Sequence, residues 1–416
     1  MNILVVGGGG REHAICWKLK GEEGVHDIYC APGNAGISRV AECIDISDSD
    51  IDGLIDFAKK RNIDITIVGP EVPLVMGIVD KFEEVGLKVF GPNKDCSRLE
   101  GSKAFSKEFM IRHGIPTAKY KEYTNIDNAI AEIDDFGYPV VIKADGLAAG
   151  KGVIICENRK VAIESLKSMM ETKQFGAAGE KIVVEEFLAG IETSILAFVD
   201  NKTIVPMVSA KDHKKIYDHE KGPNTGGMGT FSPSEIYTDE LAEKIRVEVL
   251  EKTLNGFKKD GLKFRGILFV GLMITEEGEK VLEYNVRFGD PETQSVLFRL
   301  ETDLNKIISA ILEDKLDSIE IKYSNSQSVC VMLTSGGYPG SYEKGKKITG
   351  LDKLDKDIVV FHSGSKFDSG QLVTNGGRVL GVTAKGSTVK EASEKVYQNI
   401  KGIDFEGMHY RTDIGI

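Results

Sequence analysis

The sequence has no long apolar segment and no paired cysteines. Its longest apolar runs, such as residues 266–274, are far shorter than the roughly 20 residues that a membrane-spanning helix needs. The six cysteines are scattered, with no Cys-x-x-Cys pair and no histidine at zinc-ligand spacing, so we interpret them as buried or uninvolved thiols. The N-terminus lacks a basic region and a small-residue cleavage site, which predicts a first β-strand and a cytoplasmic protein.

Positive charge is also in deficit. The 416 residues carry 53 Lys and Arg against 64 Asp and Glu, a net charge of −11. A large nucleic-acid or anionic-membrane surface needs the opposite balance, so we expect neither as a partner. The 41% apolar and 28% charged content is ordinary for a folded protein, and the length predicts two to four domains.

Short apolar runs alternate with helical patterns in the first quarter of the chain. Strands are predicted at residues 2–6, 27–30, 63–68 and 88–90, and helices at 11–19, 51–61 and 77–85. This alternation predicts a parallel sheet covered by helices, in which ligands collect at the carboxyl ends of the strands. The loops at residues 7–10, 32–36 and 69–71 follow such strand ends.

The remaining chain predicts two further regions. From about residue 101, strands at 139–143 and 181–186 precede a long loop at 211–232 and a β-hairpin formed by 266–275 and 280–285. From about residue 326, short strands at 328–334, 358–363 and 379–383 predict a small β-rich domain. We therefore expect an α/β multidomain protein with domains at 1–100, 101–325 and 326–416.

Two glycine-rich turns resemble nucleotide motifs without matching them. In the first turn, Glu12 occupies the third glycine position of a dinucleotide motif, and no acid follows the second strand, which argues against NAD. A phosphate site at a helix N-terminus with Arg11 is one interpretation, and a turn shaped for packing is the other. The second turn, at 146–152, has three residues between its first glycines and Gly152 after Lys151, which disfavours a P-loop. With Lys143 it could cover a polyphosphate, or it is a surface turn.

The segment 280–287 is the most informative by geometry. On a strand, Glu283, Asn285 and Arg287 share one face. A carboxylate beside an amide oxygen suits Mg²⁺, and the arginine would oppose phosphate charge. A solvated strand face is the alternative. His213 and His219 are too isolated to be metal ligands, and no spacing offers a covalent nucleophile.

Eight segments together resemble the phosphoribosylamine–glycine ligases (glycinamide ribonucleotide synthetases), a purine-biosynthesis family of the ATP-grasp superfamily. The resemblance runs through nearly the whole chain and includes Gly-Arg-Glu-His at 10–13, Lys-Gly at 151–152 and Pro-Asn-Thr-Gly-Gly-Met-Gly at 223–229. The other segments are residues 31–36, 68–71, 99–103, 185–188 and 287–294. The family implies a pre-ATP-grasp N-terminal domain, an ATP-grasp body with a lid at about 118–190, and the β-rich C-terminal domain.

The resemblance also implies a reaction and a set of site residues. Glycine's carboxylate would attack the γ-phosphate of ATP to form glycyl phosphate, and phosphoribosylamine would then displace phosphate. The implied catalytic residues are Arg287, Lys143 and Asp290, with Asp290 on the glycine side. The implied metal ligands are Glu283 and Asn285, for Mg²⁺ or alternatively Mn²⁺. The implied ATP-binding residues are Lys103, Lys143, Gly150, Lys151, Gly152, Glu185, Phe187, Leu188 and Glu192. The implied substrate-binding residues are Gly9, Gly10, Arg11, Asn34, Pro70, Glu71, Asp212, Lys214, Asn224, Thr225, Gly226 and Gly227.

The chain departs from the family in one loop. Asp218, His219 and Glu220 stand where the family usually has Asp-Gly-Asp, which predicts a stiffer loop because a glycine is lost. We expect a monomer that makes transient contacts with neighbouring purine-pathway enzymes. Two alternatives stay open: another ATP-grasp ligase or carboxylase of purine synthesis, and a nucleotide-binding module without turnover.

Overall fold

The N-terminal region is a five-stranded parallel sheet flanked by helices. The computed structural model describes residues 1–148, 152–172 and 176–416. The strands are β1 (Asn2–Gly7), β2 (Asp27–Pro32), β3 (Glu42–Cys43), β4 (Ile65–Val68) and β5 (Val89–Phe90), in the order β3-β2-β1-β4-β5. The helices are α1 (Gly10–Leu19), α2 (Ile51–Lys60), α3 (Glu71–Met76) and α4 (Ile78–Glu84). The central strands are almost wholly buried because helices cover both faces, so the predicted parallel sheet is confirmed.

A small antiparallel sheet follows two helices. Helices α5 (Lys94–Gly101) and α6 (Lys103–Arg112) precede the strands β6 (Tyr120–Tyr123), β7 (Val140–Ala144), β8 (Val153–Cys156) and β9 (Ile182–Glu186). Their order is β6-β9-β7-β8. Helices α7 (Ile126–Glu132) and α8 (Arg159–Met170) pack on this sheet around a separate apolar core that includes Ile142, Leu166 and Val184.

A second antiparallel sheet contains the predicted β-hairpin. Its strands are β10 (Ile191–Val199), β11 (Ile204–Pro206), β16 (Gly266–Thr275) and β17 (Gly278–Asn285), in the order β11-β10-β16-β17. The predicted hairpin is confirmed, with β17 beginning two residues earlier than expected. Helices α9 (Asp239–Ile245), α10 (Lys252–Asp260), α11 (Glu292–Arg299) and α12 (Leu304–Leu312) surround it, and a π-helical segment, Arg246–Glu251, joins α9 to α10.

The C-terminal sheet takes strands from two parts of the chain. It contains β12 (Lys211–Asp212), β15 (Gly229–Ser232), β18 (Gln327–Thr334), β22 (Arg378–Gly386) and β19 (Val359–His362), in that order. Two hairpins, β13 (Lys215–Tyr217) with β14 (Lys221–Asn224) and β20 (Ser365–Asp368) with β21 (Gln371–Thr374), lie outside it. Helix α13 (Val389–Ile400), which the sequence pattern did not identify, packs on β18 and β22.

The prediction of a structureless loop at 211–232 is wrong. The segment holds four short strands, of which β15 pairs with β18, about a hundred residues later in the chain. Strands of two to four residues show no readable alternation, and their pairing partner is distant, so local sequence could not reveal them.

Two further observations concern membrane and thiol chemistry. Across the three described ranges, no helix is long and apolar enough to cross a membrane. All six cysteines are free, and five are buried; Cys43 is half-buried. Burial raises the pKa of the Cys96 thiol to about 12, as expected for a packing residue.

Candidate active site

A cavity of about 470 Å³ lies between the two antiparallel sheets, the N-terminal domain and the 211–227 segment. Most of the residues that the sequence singled out line it together. They are Arg11, Glu71, Lys103, Lys143, Gly152, Glu185, Phe187, Leu188, Glu192, Asp212, Lys214, Asn224, Thr225, Gly226, Glu283, Asn285, Arg287 and Asp290. Five others, Gly9, Gly10, Asn34, Pro70 and Gly227, are not among its lining residues. Gly150 and Lys151 lie outside the described residues.

A buried carboxylate separates two lysines at one end of the cavity. Glu185 on β9 lies 2.8 Å from Lys143 Nζ on β7 and 2.8 Å from Lys107 Nζ on α6. Burial alone would raise the pKa of Glu185, but Lys143 and Lys107 outweigh it and lower that pKa. Burial also lowers the pKa of Lys107 to about 8. Sequence analysis missed Lys107, although its four-residue spacing from Lys103 places both on one helical face.

Glu283 and Asn285 on strand β17 and the following Arg287 line the cavity together. Burial would raise the pKa of Glu283, but Lys214, Lys103 and other cations lower it, so this carboxylate is ionised. The Asn285 side-chain oxygen accepts a hydrogen bond from Arg287 at 3.2 Å. Tyr284, between them, is 2% exposed and bonds the hydroxyl of Thr253 at 2.6 Å on the core side.

Arg287 is held by two acids. Its guanidinium lies 3.0 Å from Glu100 Oε1 and 3.4 Å from Glu71 Oε2. Glu100 also accepts the Val286 N–H at 2.8 Å, and burial raises the pKa of this acid. In Glu71 the effect of burial is outweighed by Arg287 and Arg11, which lower its pKa. The motif search did not single out Glu100, because a glutamate on a short helix carries no signal of its own.

The N-terminal glycine turn is occupied by contacts within the protein. The Gly9 N–H donates to Glu12 Oε2 at 2.6 Å. The Asn34 amide donates to the carbonyls of Gly8 at 2.9 Å and His362 at 2.8 Å, and its oxygen accepts the Gly36 N–H at 2.9 Å. The Asn34 side chain therefore links the N-terminal turns to the C-terminal region through hydrogen bonds.

Asp212 and Glu292, two acids with raised pKa values, line the cavity. Burial raises the pKa of Asp212 and of Glu292, and the neighbouring Glu292 charge raises that of Asp212 further. Asp212 Oδ1 is buried without a hydrogen-bond partner. Lys214 forms an ion pair with Glu192, which raises the pKa of the lysine. Sequence analysis did not single out Glu292, because its motif, Phe-Gly-Asp-Pro-Glu, drew attention to Asp290.

The C-terminal region also reaches the cavity. Arg378 on β22 lines it and lies 3.1 Å from the Asp290 carboxylate. No chemistry-bearing motif was recognised in this part of the sequence, because an isolated arginine in a strand gives no pattern. Only the fold brings it to the site.

The acids and histidines do not form a multi-carboxylate metal centre. Among residues 1–148, 152–172 and 176–416, no group of three or more His, Cys, Asp and Glu side chains could hold a metal ion. A metal at Glu283 and Asn285 would therefore need further oxygen ligands from a bound phosphate or from water.

Three family models match consecutive parts of the chain. The phosphoribosylglycinamide synthetase N domain matches residues 1–100, the ATP-grasp (A) domain of the same family matches 101–293, and its C domain matches 328–416. Together they account for most of the sequence.

Individual relatives agree with these models. The chain is 49% identical over 414 residues to a phosphoribosylamine–glycine ligase of Caldanaerobacter subterraneus, covering 100% of this chain and 99% of the relative. It is 48% identical over 415 residues to that of Clostridium acetobutylicum, covering 100% and 99%. The crystal structure of the Thermotoga maritima phosphoribosylamine–glycine ligase superposes with a TM-score of 0.88 at 34% identity, covering 99% of this chain and 100% of that one.

More distant structures share the fold alone. A biotin carboxylase from Campylobacter jejuni superposes with a TM-score of 0.76 at 15% identity, covering 98% of this chain and 92% of that one. The predicted fold class, with a parallel-sheet N-terminal domain, an ATP-grasp body and a C-terminal domain, is thereby confirmed.

Proposed function

Since this chain belongs to the phosphoribosylglycinamide synthetase family, we propose that it joins glycine to 5-phosphoribosylamine at the expense of ATP. The products are glycinamide ribonucleotide, ADP and phosphate, in de novo purine biosynthesis. The observation that carries the proposal is one cavity holding Glu283, Asn285 and Arg287 together with the lysines Lys103, Lys143 and Lys214. Converging cations and hard oxygen ligands suit phosphoryl transfer, which is catalysed mainly by positioning and charge stabilisation.

The ATP-grasp body implies use of ATP with a divalent metal. Mg²⁺ is the metal we propose, with Mn²⁺ as the alternative, held by Glu283 and Asn285. These residues fit because cations keep Glu283 ionised and Asn285 offers an amide oxygen. When bound, the metal supplies charge neutralisation at the phosphate oxygens.

The ATP-binding residues are proposed from the resemblance to the family, and the proposal is supported by the cavity that the described ones line together. Lys103 and Lys143 bind phosphate oxygens, and Lys151 is proposed to do the same. By the resemblance, Gly150 and Gly152 are proposed to bind ATP as well. Glu185, Phe187 and Leu188, at the end of β9, hold adenine, and Glu192 holds the ribose.

Phosphoribosylamine is proposed to lie on the opposite side of the cavity. Arg11, Glu71 and the 224–227 loop bind it there. Gly9, Gly10, Asn34 and Pro70, which the resemblance also assigns to this substrate, do not line the cavity. The two glycines and Asn34 shape the turn beside Arg11.

Glycine is proposed to lie between these two ligands. Its carboxylate faces Arg287, which stabilises charge as the γ-phosphate is transferred. Its ammonium faces Asp212 and Glu292, because Asp212 Oδ1 lacks a partner there. Asp290 borders the same space and is held by Arg378. Once glycyl phosphate has formed, the amine of phosphoribosylamine attacks its carbonyl carbon and phosphate leaves. No protein nucleophile is needed.

Domain organisation, location and assembly complete the proposal. We assign domains to 1–100, 101–325 with a lid at about 118–190, and 326–416. The sheet shared by β12, β15 and β18 ties the last two together. We also propose a cytoplasmic monomer that makes transient contacts with neighbouring purine-pathway enzymes.

The test is ADP release from Mg²⁺-ATP in four mixtures: no substrate, glycine alone, freshly made phosphoribosylamine alone, and both. Turnover only with both supports the ligase. Equal ADP release in every mixture, or none in any, overturns it, and activation by bicarbonate in place of glycine points to an ATP-grasp carboxylase. The variant Glu283→Ala is expected to abolish turnover. Retained turnover that still needs Mg²⁺ would contradict the metal assignment.

A further inference from the structure

Two side chains of the C-terminal region hold the backbone of one residue in the cavity wall, Gly226. The Gly226 N–H donates to the Tyr338 hydroxyl at 2.9 Å, and the Gly226 carbonyl accepts from Arg378 Nη1. The same nitrogen donates to the Asp290 carbonyl at 2.7 Å, and Nη2 lies 3.1 Å from the Asp290 carboxylate. Both polar groups of Gly226 are therefore held from outside the loop that contains it, and the loop is tied to Asp290.

The gripped loop has little support of its own. Strands β13 and β14 form an isolated two-stranded ribbon, and all four residues of β14 are exposed. Such a hairpin is marginally stable alone. Next to the ribbon, the Lys214 carbonyl accepts the Thr225 N–H at 2.8 Å and the Thr225 hydroxyl at 2.7 Å. Beyond Thr225, both polar groups of Gly226 bond to side chains of the C-terminal region, which therefore fix the end of the loop.

The far end of the ribbon is fastened to the C-terminal segment as well. Asp218 accepts the Thr412 N–H at 2.8 Å, and the His219 N–H donates to Asp413 at 2.8 Å. Glu220 lies 2.8 Å from the buried guanidinium of Arg411. His219 and Glu220 have φ angles of 59° and 55°, a left-handed conformation that costs non-glycine residues free energy. The turn that replaces the family's Asp-Gly-Asp is thus fixed by tertiary contacts.

We propose that Tyr338 and Arg378 are positioning residues that set the affinity of this chain for phosphoribosylamine by fixing the backbone of Gly226 on both sides. This inference rests on the proposed function, which places Asn224 to Gly227 on that substrate. Among the residues assigned to ATP, Lys103, Lys143 and Glu185 lie on other elements, α6, β7 and β9. Loss of a hydrogen bond to Gly226 therefore weakens binding of phosphoribosylamine and leaves ATP binding unchanged.

The variant Tyr338→Phe tests the proposal with a minimal change. It keeps the ring, which packs against Gly377, and removes only the hydroxyl that accepts the Gly226 N–H. Tyr342→Phe is the matched control, because Tyr342 is the neighbouring tyrosine, with ring centroids 6.4 Å apart, and is 37% exposed. Steady-state kinetics with each substrate varied in turn, and calorimetric binding of the stable product glycinamide ribonucleotide, provide the readouts.

For Tyr338→Phe we expect KM for phosphoribosylamine and Kd for the product to rise about threefold to tenfold, the range for one lost hydrogen bond. KM for ATP, kcat and the thermal midpoint stay within error of wild type, as they do for Tyr342→Phe. Arg378→Lys, which keeps the charge beside Asp290 but loses the second donor nitrogen, should raise the same KM more strongly.

Two results overturn the inference. One is an unchanged KM for phosphoribosylamine in Tyr338→Phe, and the other is an equal rise in KM for ATP, which would indicate a general structural role. If the wild-type chain shows no turnover with both substrates, the proposed function fails instead. That outcome is visible in the unmutated protein before any variant is compared.

Discussion

Lys107 Nζ lies 2.8 Å from the carboxylate of Glu185, and each side chain is 2% exposed. The lysine also donates to the Thr117 hydroxyl at 2.7 Å, which in turn donates to the Val281 carbonyl on β17. Because Glu185 is shared with Lys143, the position of a proposed phosphate-binding lysine depends on a second lysine further inside. A buried charge held by two partners in this way is strongly affected by the loss of either one.

Replacement of Lys107 by methionine should therefore destabilise the protein. We expect the free energy of unfolding to fall by about 3 kcal/mol, since Glu185 keeps only one cation in a buried setting. KM for ATP should rise, because Glu185 then pairs with Lys143 alone and no longer holds it in its original position. Urea unfolding and steady-state kinetics measure the two effects. Lys306→Met, which removes a solvent-exposed ion pair with Glu23, should leave both quantities unchanged.

Two buried histidines predict an acid-sensitive stability. Burial lowers the pKa of His13 to about 3 and that of His362 to about 4. Both stay neutral in the folded state while the unfolded chain takes up protons near pH 6.5. Stability is therefore complete above pH 6.5 and falls as the pH drops toward 3, by about 2 kcal/mol per histidine at pH 5.

Unfolding in urea at pH 8 and pH 5 measures this loss. His362→Gln should show a smaller difference between the two pH values than wild type, because only one of the two histidines that burial keeps neutral in the folded state remains. His26→Gln, at an exposed position, should keep the wild-type difference. An equal pH dependence in His362→Gln and wild type would contradict the explanation.

Glu100→Gln tests whether the ion pair with Glu100 positions Arg287 for catalysis. Glutamine can still accept the Val286 N–H, but it removes the charge 3.0 Å from the guanidinium. We expect kcat to fall about 10- to 100-fold, the order associated with a displaced charge-stabilising group. KM for ATP should change little. Glu108→Gln serves as the control, since Glu108 pairs with Arg112 on the protein surface. An unchanged kcat in Glu100→Gln would contradict a role for Glu100 in positioning Arg287.

Gly227→Ala should disturb the part of the cavity that is proposed to bind the substrate glycine. Gly227 has φ +110°, and a Cβ atom there would contact Pro291 and lie 2.7 Å from the unpartnered Asp212 Oδ1. We expect at least a tenfold loss of kcat/KM for glycine. Gly86→Ala, with φ +75° and open space around its Cβ position, should lose about 1 kcal/mol of stability and no activity. Similar activity in the two variants would contradict the assignment.

The candidate site shows what kind of residue sequence patterns can identify. Glu283, Asn285 and Arg287 were found because alternation on one strand places them on one face. Lys143 and Lys151 were found because they adjoin a glycine-rich turn, and Lys103 and Lys214 through the family resemblance. Lys107, Glu100, Glu292 and Arg378 were missed. Glu100 and Glu292 lie inside the motif segments 99–103 and 287–294, where other residues drew attention, and Lys107 and Arg378 lie outside any motif. Each acquires its role from a partner far away in the chain, such as Arg378 beside Asp290.

The sequence by itself determined the parallel sheet at the N-terminus, the β16–β17 hairpin and the family, because these follow from local periodicity and from contiguous motifs. The tertiary structure decided that residues 211–232 contribute β12 and β15 to the C-terminal sheet, and that Tyr338 and Arg378 hold Gly226. The physical reason is that β15 and the buried charges of the site are placed by partners distant in the chain, such as β18 for β15 and Arg378 for Asp290. No local pattern of hydrophobicity or charge encodes them.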